Sequence, residues 1–157
     1  MKKINIPRLI LSILICFVAA GIGTYFTTPS ISGWYASLNK PFFSPPNWIF
    51  GPVWTLLYTM MGIALYIVWN KKTKLKKLNS YKYFAWQLFA NALWSIVFFG
   101  LYNPILAFEV IVVLWILILF TIINFSKISK TAAYLLYPYL AWVSFAAILN
   151  LSVAFLN

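Results

Sequence analysis

Five apolar runs of similar length decide what this chain can fold into. They cover roughly residues 8–28, 48–70, 83–102, 105–125 and 132–155. At about 1.5 Å per residue, each is long enough to cross the ~30 Å hydrocarbon core of a bilayer as a helix. Lipid offers backbone N–H and C=O groups no partner, so a spanning segment must satisfy them internally. The aliphatic residues do not alternate as they would in a membrane barrel. Composition closes the soluble alternative: 64% of the residues are hydrophobic and 8% charged, too little polar surface to cover a domain in water. The expected fold is an all-α integral membrane protein, a five-transmembrane-helix bundle forming one domain over residues 1–157.

The charges set an orientation. Lys2, Lys3 and Arg8 precede the first run, six lysines from Lys71 to Lys82 lie between the second and third, and Lys127 and Lys130 lie between the fourth and fifth. Eleven of the 12 basic residues therefore share one side, and only Lys40 falls on the other. The positive-inside rule predicts N-terminus in and C-terminus out in a bacterial cell membrane, as an odd number of spans requires. Val18-Ala19-Ala20 resembles a signal-peptide cleavage site, but the apolar run continues to Phe26, so the first run is expected to span. The net charge of +11 lies in the joints between spans, which predicts no nucleic-acid partner.

The residue inventory excludes most enzyme chemistry. The chain has no His, one Cys and one acid. No disulfide, His-bearing metal site or hydrolytic carboxylate pair is possible within it, so no metal is expected and no cofactor is required. Cys16 reads as a small buried hydrophobe. Glu109, in the fourth run, reads as an intramembrane polar latch to a Tyr, Asn or Trp on a neighbouring helix, or as a proton-handling group.

The joint between the first two spans is of another kind. From Trp34 to the start of the second span it is rich in aromatics and contains Pro41, Pro45 and Pro46. It is too apolar for a solvated linker and too Pro-rich to be helical before Asn47, which predicts a structured lid. Asn47 is expected to cap the second helix, with Gly51-Pro52 disturbing its first turn. Lys40 reads as an interface anchor or as a partner for a ligand carboxylate. Pro138 is expected to kink the fifth helix one turn before Trp142.

Four tryptophans, Trp54, Trp94, Trp115 and Trp142, fall inside spans, where an indole N–H needs a partner or a cavity. Helical spacing puts Trp54, Tyr58, Met61 and Leu65 on one face of the second helix. It puts Gln87, Asn91, Trp94 and Phe98 on one face of the third, and Trp142, Ala146, Leu149 and Asn150 on one face of the fifth. Polar side chains avoid lipid, so these faces are expected to meet inside the bundle, either around a cavity or as interhelical hydrogen-bond contacts.

These residues carry a resemblance. Trp34-Tyr35, Lys40-Pro41, Ser44-Pro45-Pro46-Asn47-Trp48, Gly51-Pro52-Val53-Trp54, Leu57-Tyr58, Met61-Gly62, the stretch from Leu88 to Gly100, and Leu135 through Trp142 with Leu149-Asn150 resemble the TspO/MBR family of tryptophan-rich sensory and translocator proteins. The match runs over nearly the whole chain. It implies a five-helix bundle, a homodimer, and a ligand cavity beneath the first loop. The ligands it implies are porphyrins such as protoporphyrin IX and haem, isoquinoline and benzodiazepine drugs, and in some members lipid or sterol. Family cavity positions fall here on Tyr35, Trp54, Asn91, Trp94, Trp142, Ala146 and Leu149. To these the loop adds Trp48, and the helix faces add Tyr58, Phe98 and Asn150. There are departures: Phe43 stands where the family commonly has Trp, Glu109 where it often has Asp, and the terminal LNLSVAFLN lacks the Tyr-and-basic pair of a cholesterol motif. The expected function is a porphyrin-binding membrane sensor or transporter. The alternative is a light-dependent porphyrin-degrading enzyme using Tyr35, Trp54 and Trp142.

Overall fold

A computed structural model describes residues 4–157; Lys2 and Lys3, two of the charges used for orientation, lie outside them. Its order is α1 (Ile6–Ile31), a short α2 (Trp34–Ser37), α3 (Asn47–Asn70), α4 (Leu78–Ser95) running into a π-helical turn (Ile96–Gly100), α5 (Pro104–Ser126), α6 (Lys130–Tyr134) and α7 (Tyr137–Leu156). Five helical stretches are long and apolar enough to span: Ile6–Ile31, Asn47–Asn70, Leu78–Gly100, Pro104–Ser126 and Lys130–Leu156. The chain is an integral multi-pass membrane protein. One end of the bundle carries the lysine-rich joints and the other carries α2 and the loop around it.

Packing of the first two spans is governed by side-chain size. The buried stripe of α1 is Ser12, Cys16, Ala19, Gly23 and Ser30, all small, so neighbouring helices approach its backbone closely. A Cβ on Gly62 of α3 would lie 2.6 Å from the Ile13 Cα, so only glycine permits that contact. Arg8 ties the lysine-rich ends together, donating to Asn70 Oδ1 at 3.1 Å with its guanidinium 5.6 Å from the Trp69 ring centre. Lys77 donates to the carbonyls of Trp69 and Lys71 and so covers the C-terminal end of α3.

Several local expectations are corrected. The segment before Asn47 contains a helical turn, Trp34–Ser37, which forms because its residues precede the first loop proline. Asn47 does not cap α3: it is the first helical residue, Pro46 occupies the cap, and no side chain bonds there. The helix runs unbroken through Gly51-Pro52, since a proline near a helix start removes only one backbone bond. The third span begins at Leu78, five residues earlier than expected, because a polar first turn there still buries Ser80.

Pro138 does more than kink the last span. The chain breaks at Leu135-Leu136 and Pro138 sits in the first turn of a new helix, where its missing N–H costs nothing. Among the described residues Glu109 makes no side-chain hydrogen bond or ion pair. The buried stripe of α5 is Ala107, Ile111, Leu114 and Ile118, and Glu109 lies on the opposite, exposed face.

Candidate functional site

The three polar–aromatic faces meet. Between α1, α3, α4 and α7, beneath the α2 loop, lies a cavity of about 800 Å³. Tyr35, Trp48, Trp54, Tyr58, Asn91, Trp94, Phe98, Trp142, Ala146, Leu149 and Asn150 all line it. Its volume falls within the range of small-molecule pockets, and its wall is mostly aromatic and aliphatic.

The floor is a closed chain of hydrogen bonds. Tyr58 Oη donates to Asn91 Oδ1, Asn91 Nδ2 donates to Tyr139 Oη at 2.7 Å, and Tyr139 Oη donates to Gln87 Oε1 at 2.9 Å. All four residues are buried. Tyrosine hydroxyls donate or accept, so the direction of the chain is set by Gln87, whose Nε2 faces the acceptor-only Met61 Sδ at 3.9 Å. Trp54 rests on this floor, 5.6 Å from the Tyr58 ring and 6.2 Å from the Tyr139 ring.

The deep indoles divide sharply. Trp94 Nε1 donates to Asn150 Oδ1 at 2.9 Å, and Asn150 Nδ2 donates on to the Pro104 carbonyl at 2.7 Å. Trp115 Nε1 donates to Ser144 Oγ at 2.8 Å, away from the cavity. Trp142 Nε1 is buried and has no partner. Its ring is 6.0 Å from Phe50 and 5.5 Å from Phe145, which hold it in place without offering an acceptor. A buried indole N–H without an acceptor is an uncompensated desolvation cost of this packing.

The roof is pinned from several sides. Tyr35 is buried against Phe98 and Phe99 of the π-helical turn, with ring centres 6.2 and 5.6 Å away. Burial pushes the Tyr35 phenol above its ordinary pKa, and a hydrogen bond from Ser44 opposes this. Lys40 is not free for a ligand. Its ammonium donates to the Tyr35 carbonyl at 2.7 Å and lies 4.7 Å from the Tyr35 ring centre, folding the loop back on itself.

The π-helical turn is what swings Phe98 and Phe99 under the roof. A π turn leaves backbone groups off the ordinary ladder, and here Ser30 of α1 donates to the freed Phe99 carbonyl at 2.7 Å. The sequence reading passed over this turn, and it passed over the α1 wall. Thr24, Thr27 and Thr28 all line the cavity. Three threonines at i, i+3 and i+4 in an otherwise aliphatic span were the available signal. No cluster of three potential metal ligands occurs among the described residues.

Comparison with known proteins agrees with this architecture. The TspO/MBR family model matches residues 12–156. The chain is 45% identical over 153 residues to the tryptophan-rich protein TspO of Archaeoglobus fulgidus, covering 98% of this chain and 99% of that one. It is 43% identical over 154 residues to the tryptophan-rich protein TspO of Chlorobaculum tepidum, covering 98% of each. It is 36% identical over 140 residues to the human translocator protein, covering 88% of this chain and 80% of that one. With a profile match over nearly its full length and relatives above 40% identity end to end, the chain belongs to the TspO/MBR family.

Proposed function

We propose that this protein is a membrane receptor, acting as sensor or carrier, for flat aromatic ligands of the porphyrin class, protoporphyrin IX and haem foremost. Drug-like isoquinolines and benzodiazepines would enter the same cavity. The observation that carries the reading is a cavity of roughly 800 Å³ walled by Trp54, Trp142 and further aromatic rings. Trp54 and Trp142 supply faces for a macrocycle to lie against. The names of relatives, tryptophan-rich sensory protein and translocator protein, fit a sensing or carrying role. The membrane is taken as a bacterial cell membrane, with the lysine-rich end inside, and the working unit as a homodimer.

The test is titration of protoporphyrin IX into detergent-purified protein in darkness, followed by tryptophan quenching. Trp142→Phe removes half of the aromatic face that a ligand lies against, and is expected to weaken binding by about three- to tenfold, the worth of a lost aromatic contact. Unchanged affinity would overturn the assignment.

A second reading, light-driven oxidation of the bound pigment, is favoured by one observation. Trp54 is in tilted and edge-on ring contact with Tyr58 and Tyr139, so electron-rich rings are clustered beside the ligand position. Repeating the titration under light separates the two. A stable porphyrin spectrum marks a receptor, and bleaching that Trp54→Phe or Trp142→Phe abolishes marks an enzyme.

A further inference from the structure

We propose that the cavity exchanges its contents with the bilayer, through a lateral slot between the loop-end halves of α1 and α3, and not with water through the α2 loop. The inference rests on the reading of the cavity as a binding site and adds the route and the solvent from which a ligand comes.

The slot is visible in which residues are both cavity-lining and exposed. Gly21, Thr24 and Thr28 on α1 face Trp48, Gly51 and Thr55 at the start of α3, and all six meet both conditions. A Cβ on Gly21 or on Gly51 would meet nothing within 4 Å, so the space beside both glycines is empty. At the other end the same two helices are in backbone contact, at Gly62 and Ile13. The pair therefore forms a wedge, closed toward the lysine-rich end and open toward the loop end. The open part lies between two helices long and apolar enough to span, and its deepest residues, Gly21 and Thr55, are 10 and 8 residues from the loop ends of those helices, which places acyl chain beside them.

The loop side is tied shut. Besides the Tyr35 and Lys40 contacts, the loop is clasped to the end of α7. Asn39 N–H donates to Asn157 Oδ1 at 2.9 Å, and Asn157 Nδ2 donates to the Asn39 carbonyl at 3.0 Å. A wall closed by hydrogen bonds and ring packing stands opposite a wall that is a gap. A molecule dissolved in the membrane reaches Trp54 and Trp142 without opening anything. A molecule arriving from water has to break the clasp.

The experiment reads access directly, so it stands even if protoporphyrin IX proves not to bind. Ala146→Cys places a thiol on the buried cavity wall, in a Cys16→Ser background, in protein reconstituted into phosphatidylcholine vesicles. Its modification rate is measured with an uncharged aryl maleimide and with a membrane-impermeant sulfonated maleimide. The uncharged reagent is expected to react at least about tenfold faster, since entry is gated by the medium it must cross. Filling the slot with Gly21→Phe and Gly51→Phe is expected to slow the uncharged reagent by about tenfold or more. Cutting the clasp with Asn39→Ala and Asn157→Ala is expected to leave that rate within about twofold. Each single slot variant is run beside the pair, with helical content checked by circular dichroism, so a failed fold in one does not decide the result. Equal or faster reaction with the sulfonated reagent in the parent protein, or full-speed reaction in folded slot variants, would overturn the proposal. So would a large acceleration on cutting the clasp, which would make the loop the door.

Discussion

Among the residues of the site, Asn91 holds the floor together. It accepts from Tyr58 and donates to Tyr139, so no other residue satisfies two buried phenols at once. Asn91→Ala leaves the Tyr58 hydroxyl without its acceptor while Tyr139 keeps Gln87, which costs about 1–3 kcal/mol at typical values for one orphaned buried group. A lowered midpoint in detergent thermal melts checks this, and an unchanged midpoint would mean that water replaces the amide. Tyr35 makes a pH prediction. Its burial favours the neutral phenol, so the folded pKa is raised. The stabilisation is then complete below the ordinary tyrosine range near pH ~10 and is lost as pH rises through the folded value. The roof is expected to stay in place from pH 7 to 9 and to loosen above that range, read as a change in tryptophan emission that Tyr35→Phe removes.

At the scale of elements, close approach does what burial of large side chains does in soluble bundles. Lipid tails are as apolar as Leu, so helices gain by packing backbone to backbone at small residues. Gly62→Leu places a branched side chain where Ile13 backbone lies 2.6 Å from a Cβ. It is expected to destabilise the α1–α3 pair by about 1–3 kcal/mol or more, as overpacking does. A Gly51→Leu control, with nothing within 4 Å, should melt like wild type. Comparing the two melting curves tests whether the wedge is closed at one end only. The π-helical turn is held from outside its own helix by Ser30. Ser30→Ala strands the Phe99 carbonyl and is expected to disorder the Phe98–Phe99 shelf under Tyr35, measured as faster amide exchange in residues 96–100 with the rest of the bundle unchanged.

At the scale of the whole molecule, five spans place the α2 loop and the C-terminal end of α7 at the same end, as the Asn39–Asn157 pairing requires. By the positive-inside rule, the charge distribution predicts that the lysine-rich end faces inward. Thr73→Cys, in the lysine-rich joint, is expected to react with impermeant reagents only from the cytoplasmic side, and Ser37→Cys only from the opposite side. Labelling in intact cells against inverted vesicles checks it, and the reverse pattern would invert the assignment of the loop.

How much of this was legible beforehand differs from one feature to the next. The span count, the membrane class and the three inward faces follow from run length and 3.6-residue spacing. Lipid leaves a long apolar segment only one backbone solution, so local pattern suffices. Eleven of the twelve candidate site residues line the cavity, because polar and aromatic side chains in a span have few other places to go. Glu109 lies on the exposed face of α5 instead: a rule about polar groups in spans does not say which face turns inward.

Three things needed the helices docked. The break at Leu135-Leu136 and the π-helical turn depend on carbonyls satisfied from elsewhere, one by a new helix start and one by Ser30. The slot depends on how far α1 and α3 diverge above their contact at Gly62. The division among the tryptophans depends on partners 56 residues from Trp94 and 29 from Trp115. Nothing local to an indole tells whether an amide or hydroxyl on another helix will arrive within 3 Å of it. Among the described residues none does so for Trp142, an outcome that packing alone decides.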